Sequence, residues 1–213
     1  MRFTKAAAVA TAAIAVTALS AAPAQATGKK PLKTKSLAAV LTADKSGFDR
    51  NGHDYDILTA AVTAVLKAKP GSKVGVLADG KTPVTAFLPN DRAFQLLVKD
   101  ITKSRKLPGE KKAFTAVAGL GINTVESVLL YHVVPGATIT KKAALKSDNA
   151  KLATAAGSKI KVDVYGPRWH KRIALIDADR SDRNPRINRF DINKGNRQIA
   201  HGIDRVLRPI DLP

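Results

Sequence analysis

The chain has 213 residues and carries 36 Lys and Arg against 17 Asp and Glu, a formal net charge of +19, and it contains no cysteine. That composition excludes a disulfide-stapled scaffold, a cysteine nucleophile and a lipid anchor on cysteine, and it leaves a packed core as the source of stability. The excess positive charge favours acidic partners through an attraction that salt screens.

Arg2 and Lys5 precede an uncharged Ala/Val-rich run from Ala6 to Ala22, and Ala24-Gln25-Ala26 then offers the small residues that a signal peptidase reads. Residues 1–26 are therefore expected to be a signal peptide. The run is too weakly apolar for a membrane span, so the mature form is expected to be secreted, extracellular or associated with the cell wall, and without a transmembrane anchor. Loss of Arg2 and Lys5 lowers the formal charge from +19 to +17. Residues 27–35 are polar and basic and read as a flexible arm. Residues 36–213 read as one domain.

Leu37, Val40 and Leu41 keep helical spacing behind Ser36 as amino-terminal cap, and a turn-rich stretch follows from Asp44 to Asp54. The clearest helix starts after Asp54 or Asp56, with Leu58, Ala61, Val62, Val65 and Leu66 on one face, and Pro70-Gly71 stop it. Val74 to Leu77, ending at Asp79-Gly80, suggests an extra hairpin. Val84 to Leu88 reads as a strand covered on both faces and ended by Pro89. Asn90 is placed to cap a helix whose inner face is Phe94, Leu97, Val98 and Ile101, with Asp91 in its first turn.

A short helix is expected over Ala113 to Ala118. Asn123 and Glu126 fit a capping box for the next helix, which runs into Tyr131-His132 before Pro135-Gly136 turns the chain. Beyond it period-two patterns take over: Ile160, Val162 and Val164, then Ile173, Leu175 and Ile176. After turn residues Asn193 to Asn196, a closing strand is expected from Arg197 to about Leu207. On it Ile199, His201, Ile203, Arg205 and Leu207 share one face, while Ala200, Gly202, Asp204 and Val206 share the other.

Chemistry is sparse along this chain. There is no Gly-x-Ser-x-Gly, no His-Glu-x-x-His, no Gly-x-Gly-x-x-Gly and no Walker sequence, so no catalytic residue, metal or cofactor is expected. His201 and Asp204 stand three apart on a strand and so point to opposite faces. Asp177, Asp179, Ser181 and Asp182 mimic part of a calcium loop, but the glycine and glutamate that such a loop needs are missing and Arg180, Arg183 and Arg186 intervene. A nucleic-acid partner is not expected, because only Trp169 and Tyr165 sit among the basic clusters for base stacking. His170 with Asp177 and Asp179 is the one titratable group worth testing for catalysis.

Three segments, Thr85-Ala86-Phe87-Leu88-Pro89-Asn90-Asp91-Arg92-Ala93-Phe94, Leu129 to Gly136, and Asn196 with His201 to Pro209, resemble in order the motifs of the fasciclin-like (FAS1) adhesion domain. Asn90 stands where that family usually has Thr. The resemblance implies an α+β single domain in which a wedge of antiparallel strands packs beside several helices. It assigns Thr85, Pro89, Asn90, Asp91, Phe94, His201 and Asp204 to the structural motifs. Tyr131 and His132 belong to the segment through which family members are discussed as adhesive. Apolar neighbours around His132 imply a neutral, buried imidazole.

The function expected is a non-enzymatic module for adhesion or matrix interaction, binding an extracellular protein or an acidic glycan or cell-wall polymer through its surface. The alternative is a carrier of a small ligand or lipid in an apolar cleft, which would require an enclosed pocket.

Overall fold

The computed structural model describes residues 30–210; the expected signal peptide and the first residues of the basic arm lie outside the described residues. Helices come first: α1 (Leu37–Leu41), α2 (Asp56–Ala68), a 3₁₀ helix (Lys73–Ala78), then, after strand β1 (Val84–Pro89), α3 (Asp91–Ile101), α4 (Glu110–Gly119) and α5 (Ile122–Tyr131). Strands dominate the rest: β2 (Val133–Pro135), β3 (Lys151–Ala153), β4 (Lys159–Tyr165), β5 (Arg172–Ile176), β6 (Ile187–Ile192) and β7 (Gln198–Ile203), with the one-turn helix α6 (Lys141–Ala144) between β2 and β3. This is an α+β fold. A four-stranded sheet runs β2-β1-β7-β6 and a three-stranded sheet runs β3-β4-β5. The wedge is antiparallel except at its centre, where β1 and β7 pair in parallel.

Strand β1 explains the layering. All six of its residues are buried, and the period of two divides them between two cores. Val84, Ala86 and Leu88 join the helix-side core with Leu58, Val62, Val65, Leu97 and Val98. Phe87 points the other way, into a second core with Ile160, Val162, Ile173, Leu175, Ile203 and Leu207. The central sheet is thus covered by helices on one face and by the three-stranded sheet on the other.

Four local readings change. Val74 to Leu77 lies in the 3₁₀ helix and not a hairpin: Val74 and Leu77 are both buried, a spacing of three that matches three residues per turn, and the Ser72 hydroxyl accepts from the Val74 amide. Asn123 caps nothing, because α5 starts one residue before it. Gly121 is that helix's N-cap, with φ of 86°, a left-handed turn between α4 and α5 that glycine adopts without strain. Glu126 instead pairs with Lys69.

The closing strand ends at Ile203, not near Leu207, because its neighbour β1 ends at Pro89, which lies opposite Ile203. Residues 33–35, read as flexible arm, are tied to the 193–197 turn: the Lys33 amide donates to the Gly195 carbonyl (2.8 Å) and the Arg197 amide to the Lys33 carbonyl (2.9 Å). Gly80 lets this segment through. A Cβ there would lie 1.7 Å from the Thr34 carbonyl oxygen.

Candidate functional site

The polar residues of the signature segments serve the interior. The Thr85 hydroxyl donates to the Ala137 carbonyl (2.8 Å) and accepts from the Ile139 amide (2.8 Å), which fixes the turn after β2. Pro89 closes β1, and the Asn90 amide then donates to the Ile203 carbonyl (3.3 Å). The Asn90 side chain accepts from the Ala93 amide (3.0 Å) and caps α3. Asp91 reaches out of its own helix: its carboxylate accepts from the Asp56 and Ile57 amides (3.1 and 2.9 Å), so it also caps α2. Phe94 is buried in the helix-side core.

Tyr131 is fully buried, and its hydroxyl donates to the Lys159 carbonyl (3.2 Å). Burial, followed by the charge of Asp177, pushes this phenol up to about 12. His132 is 4% exposed and sits at the carboxyl end of α5. Its Nε2 accepts from the Leu207 amide (2.9 Å), which requires the proton on Nδ1, and Nδ1 donates to the Val128 carbonyl (2.7 Å). The ring therefore staples α5 to the closing segment, and burial pushes its pKa down to about 4.

His201 is built alike. Its Nδ1 accepts from the Asp191 amide (3.2 Å), its Nε2 donates to the Ile139 carbonyl (2.9 Å), and burial lowers its pKa. The two histidines share no partner. Asp204 lies just past the end of β7, where its carboxylate accepts from the Arg186 amide (2.6 Å).

The catalytic grouping does not assemble. His170 is exposed in the loop before β5, whereas Asp177 follows the other end of that strand. Asp179 is buried against Arg208 (3.2 Å), Asp182 contacts Arg205 and Arg208 (2.9 and 3.1 Å), and Asp177 accepts from the Arg208 amide (2.9 Å). The acidic loop thus anchors the two arginines of the closing motif. Carboxylates converge elsewhere, around Asp56, Asp91 and Glu110 beneath the 44–54 loop.

The exterior offers a different kind of place. A groove of about 590 Å³ lies between the β4–β5 loop, α6 and β6, lined by Lys141, Arg168, Lys171, Arg172, Arg183 and Arg186 with Trp169, Tyr165 and Phe190 among them. Trp169 is 88% exposed. The Arg186 guanidinium stands over the Tyr165 ring (5.5 Å) and the Lys141 ammonium over the Phe190 ring (5.0 Å), so the aromatic faces hold the cations in place. Asp204 is the one acid in this lining, and it is engaged by the Arg186 amide. Fixed cations beside an open indole suit a flat, acidic, partly apolar ligand.

A family model, Fasciclin domain, matches residues 56–209, a span that includes all three polar junctions. The chain belongs to the fasciclin domain family. Its fold is similar to the solved FAS1 domain pair from the insect cell adhesion molecule Fasciclin I, with a TM-score of 0.56 and 18% identity over 83% of this chain and 51% of that one. The chain therefore spans about half the length of that pair, and the likeness at this identity concerns the fold alone. A comparison with curated proteins gave no match.

The fasciclin domain has one hub that its sequence did not single out. Gln198 is fully buried; it accepts from the Leu37 amide (2.8 Å) and donates to the Val76 and Asp79 carbonyls (both 2.7 Å), joining α1 and the 3₁₀ helix to β7. The available signal was its position two residues before Ala200, on the apolar face of β7. The groove was less accessible still: Trp169 and Tyr165 stand near basic residues in the sequence, but Lys141, Arg183 and Arg186 reach them only from distant segments.

Proposed function

We propose that this fasciclin domain is a secreted, non-enzymatic adhesion module that holds an acidic extracellular polymer, a glycan or a cell-wall chain, in the groove around Trp169. The observation that carries this reading is an indole 88% exposed in the midst of six arginine and lysine side chains of its own and neighbouring segments. An exposed Trp gains most from being covered, and Trp and Arg are the side chains on which binding energy tends to concentrate. The surrounding cations would draw in a polyanion and the ring would stack on its less polar face. Tyr131 and His132 act in this reading from inside, by keeping the sheet and α5 in place, since both are buried.

The carrier reading finds little support. The apolar space in the wedge between the two sheets, bounded by Phe87, Ile139, Val162, Ile173, Leu175 and His201, amounts to about 10 Å³, room for at most one water.

An array of glycans and cell-wall polymers, probed with the mature protein at low and high salt, tests the proposal. Acidic polymers should be retained at low salt and released at high salt, and Trp169→Ala should weaken retention roughly tenfold or more, as loss of an aromatic anchor does. Equal retention of neutral polymers, or of the Trp169→Ala variant, would overturn it.

A further inference from the structure

We propose that Asp49, Asp54, Asp56, Asp91 and Glu110 form a divalent-cation site of the calcium class, which locks the 44–56 loop onto the amino-terminal ends of α2, α3 and α4. The carboxylates of Asp49, Asp54 and Asp56 converge so that one oxygen from each lies within 4.8 Å of the others, and those of Asp56, Asp91 and Glu110 do the same. Asp56 belongs to both sets. Five acids from three separate stretches thus form two triads that overlap at Asp56.

What points to a ligand is the state of the buried oxygens. Glu110 is 2% exposed, and neither of its carboxylate oxygens has a partner in good hydrogen-bond geometry, although the Asp49 backbone comes near it; Asp56 Oδ2 and Asp54 Oδ1 are buried and without such a partner as well. A buried carboxylate left without donors is costly. Basic side chains do not relieve it: among the described residues, every ion pair within 4.0 Å involves other acids, in a chain with 36 Lys and Arg against 17 Asp and Glu. Arg50 and Arg92 line the adjoining cleft, yet neither makes an ion pair within 4.0 Å with any of the five acids, so compensation of their charge falls to a bound cation.

The donor set selects the metal. All five are carboxylates, so hard cations are favoured over zinc or copper, and an irregular ligand set partly on a loop suits calcium better than the strict octahedron of magnesium. The loop sets side-chain oxygens close together, Asp49-x-Asn51-Gly52-x-Asp54-x-Asp56, and is folded on itself by the Asn51 amide donating to Asp49 (2.5 Å) and the Asn51 side chain donating to Asp54 (2.9 Å). A cleft of about 520 Å³ beside it, lined by Asp49, Asn51, Arg92, Gln95 and Glu110 among others, gives an ion a way in from solvent. Asp49 and Asp54 precede the span matched by the family model, which starts at Asp56.

Titration calorimetry of the chelator-treated mature protein with calcium chloride and with magnesium chloride tests this directly. One calcium ion should bind, with Kd of ~10⁻³ M or tighter, as in extracellular sites, and at least tenfold more tightly than magnesium. At free calcium about a hundred times Kd, Tm should rise by roughly 5–10 °C. Glu110→Gln should lose most of that rise while remaining at least as stable as the wild type in chelator, because it removes an uncompensated charge. Absence of calcium binding to the wild type, binding of magnesium as tight as calcium, or an undiminished rise in Glu110→Gln would each overturn the proposal. The wild-type titration decides the matter even if the variant fails to fold.

Discussion

His132 and His201 are neutral for the same reason: each has one ring nitrogen accepting from a backbone amide and the other donating to a carbonyl, an arrangement that an imidazolium cannot satisfy. For His132 the pH consequence has a definite sign. Its pKa is 6.5 when free and about 4 in the fold, so the unfolded chain takes up the proton first. The stabilisation is complete above about 6.5 and is lost as pH falls toward about 4. Asp91 and Asp177, raised by burial to about 8 and about 6, work in the opposite direction. The diagnostic quantity is therefore the difference between wild type and His132→Gln, which keeps an acceptor for the Leu207 amide. Between pH 6.5 and 4.5 the wild type should lose roughly 2 kcal/mol more than the variant in urea unfolding. Identical pH profiles would mean that the imidazole is not held neutral. The burial of Tyr131 and His132 was legible, since Leu129-Leu130 and Val133-Val134 flank them. Their partners were not, because the Leu207 amide and the Lys159 carbonyl come from distant stretches.

At the level of elements, what was read from periodicity survived where the period is long and unbroken, as in α2, α3 and β1. It failed where one residue's neighbours decide. Val74 and Leu77 fit a short strand until the buried spacing of three is seen, and Asn123 fits a capping box until Gly121 turns the chain one residue earlier. The cap at Asn90 was readable because a strand, a proline and an amphipathic run meet there. Replacing it tests that junction: Asn90→Ala should cost about 1–2 kcal/mol, and Asn90→Thr only a few tenths, in urea unfolding with an unchanged slope. Equal losses for the two would remove the side-chain cap from the explanation of why α3 starts at Asp91.

Across the whole molecule the two faces of the central sheet divide the work. Helices cover one face and carry the converging carboxylates; the smaller sheet covers the other and supports the basic groove. Fold class, charge and the absence of ordinary catalytic motifs were all visible in the sequence. Neither surface feature was, because Lys141, Trp169 and Arg183, like Asp49, Asp91 and Glu110, are brought together only by tertiary packing. No single helix among the described residues is long and apolar enough to cross a membrane. The proposed recognition of an acidic polymer through the groove makes binding strength follow ionic strength. The most direct test is the dissociation constant for an acidic polymer that the domain retains, measured across a salt series for the wild type and for Arg168→Ser combined with Lys171→Ser and Arg172→Ser, with near-UV circular dichroism confirming a native fold. Binding that weakens steeply with salt, and a triple variant that binds at least tenfold more weakly with a shallower salt slope, is the expected result. A triple variant with native affinity and native salt dependence would contradict recognition through the groove.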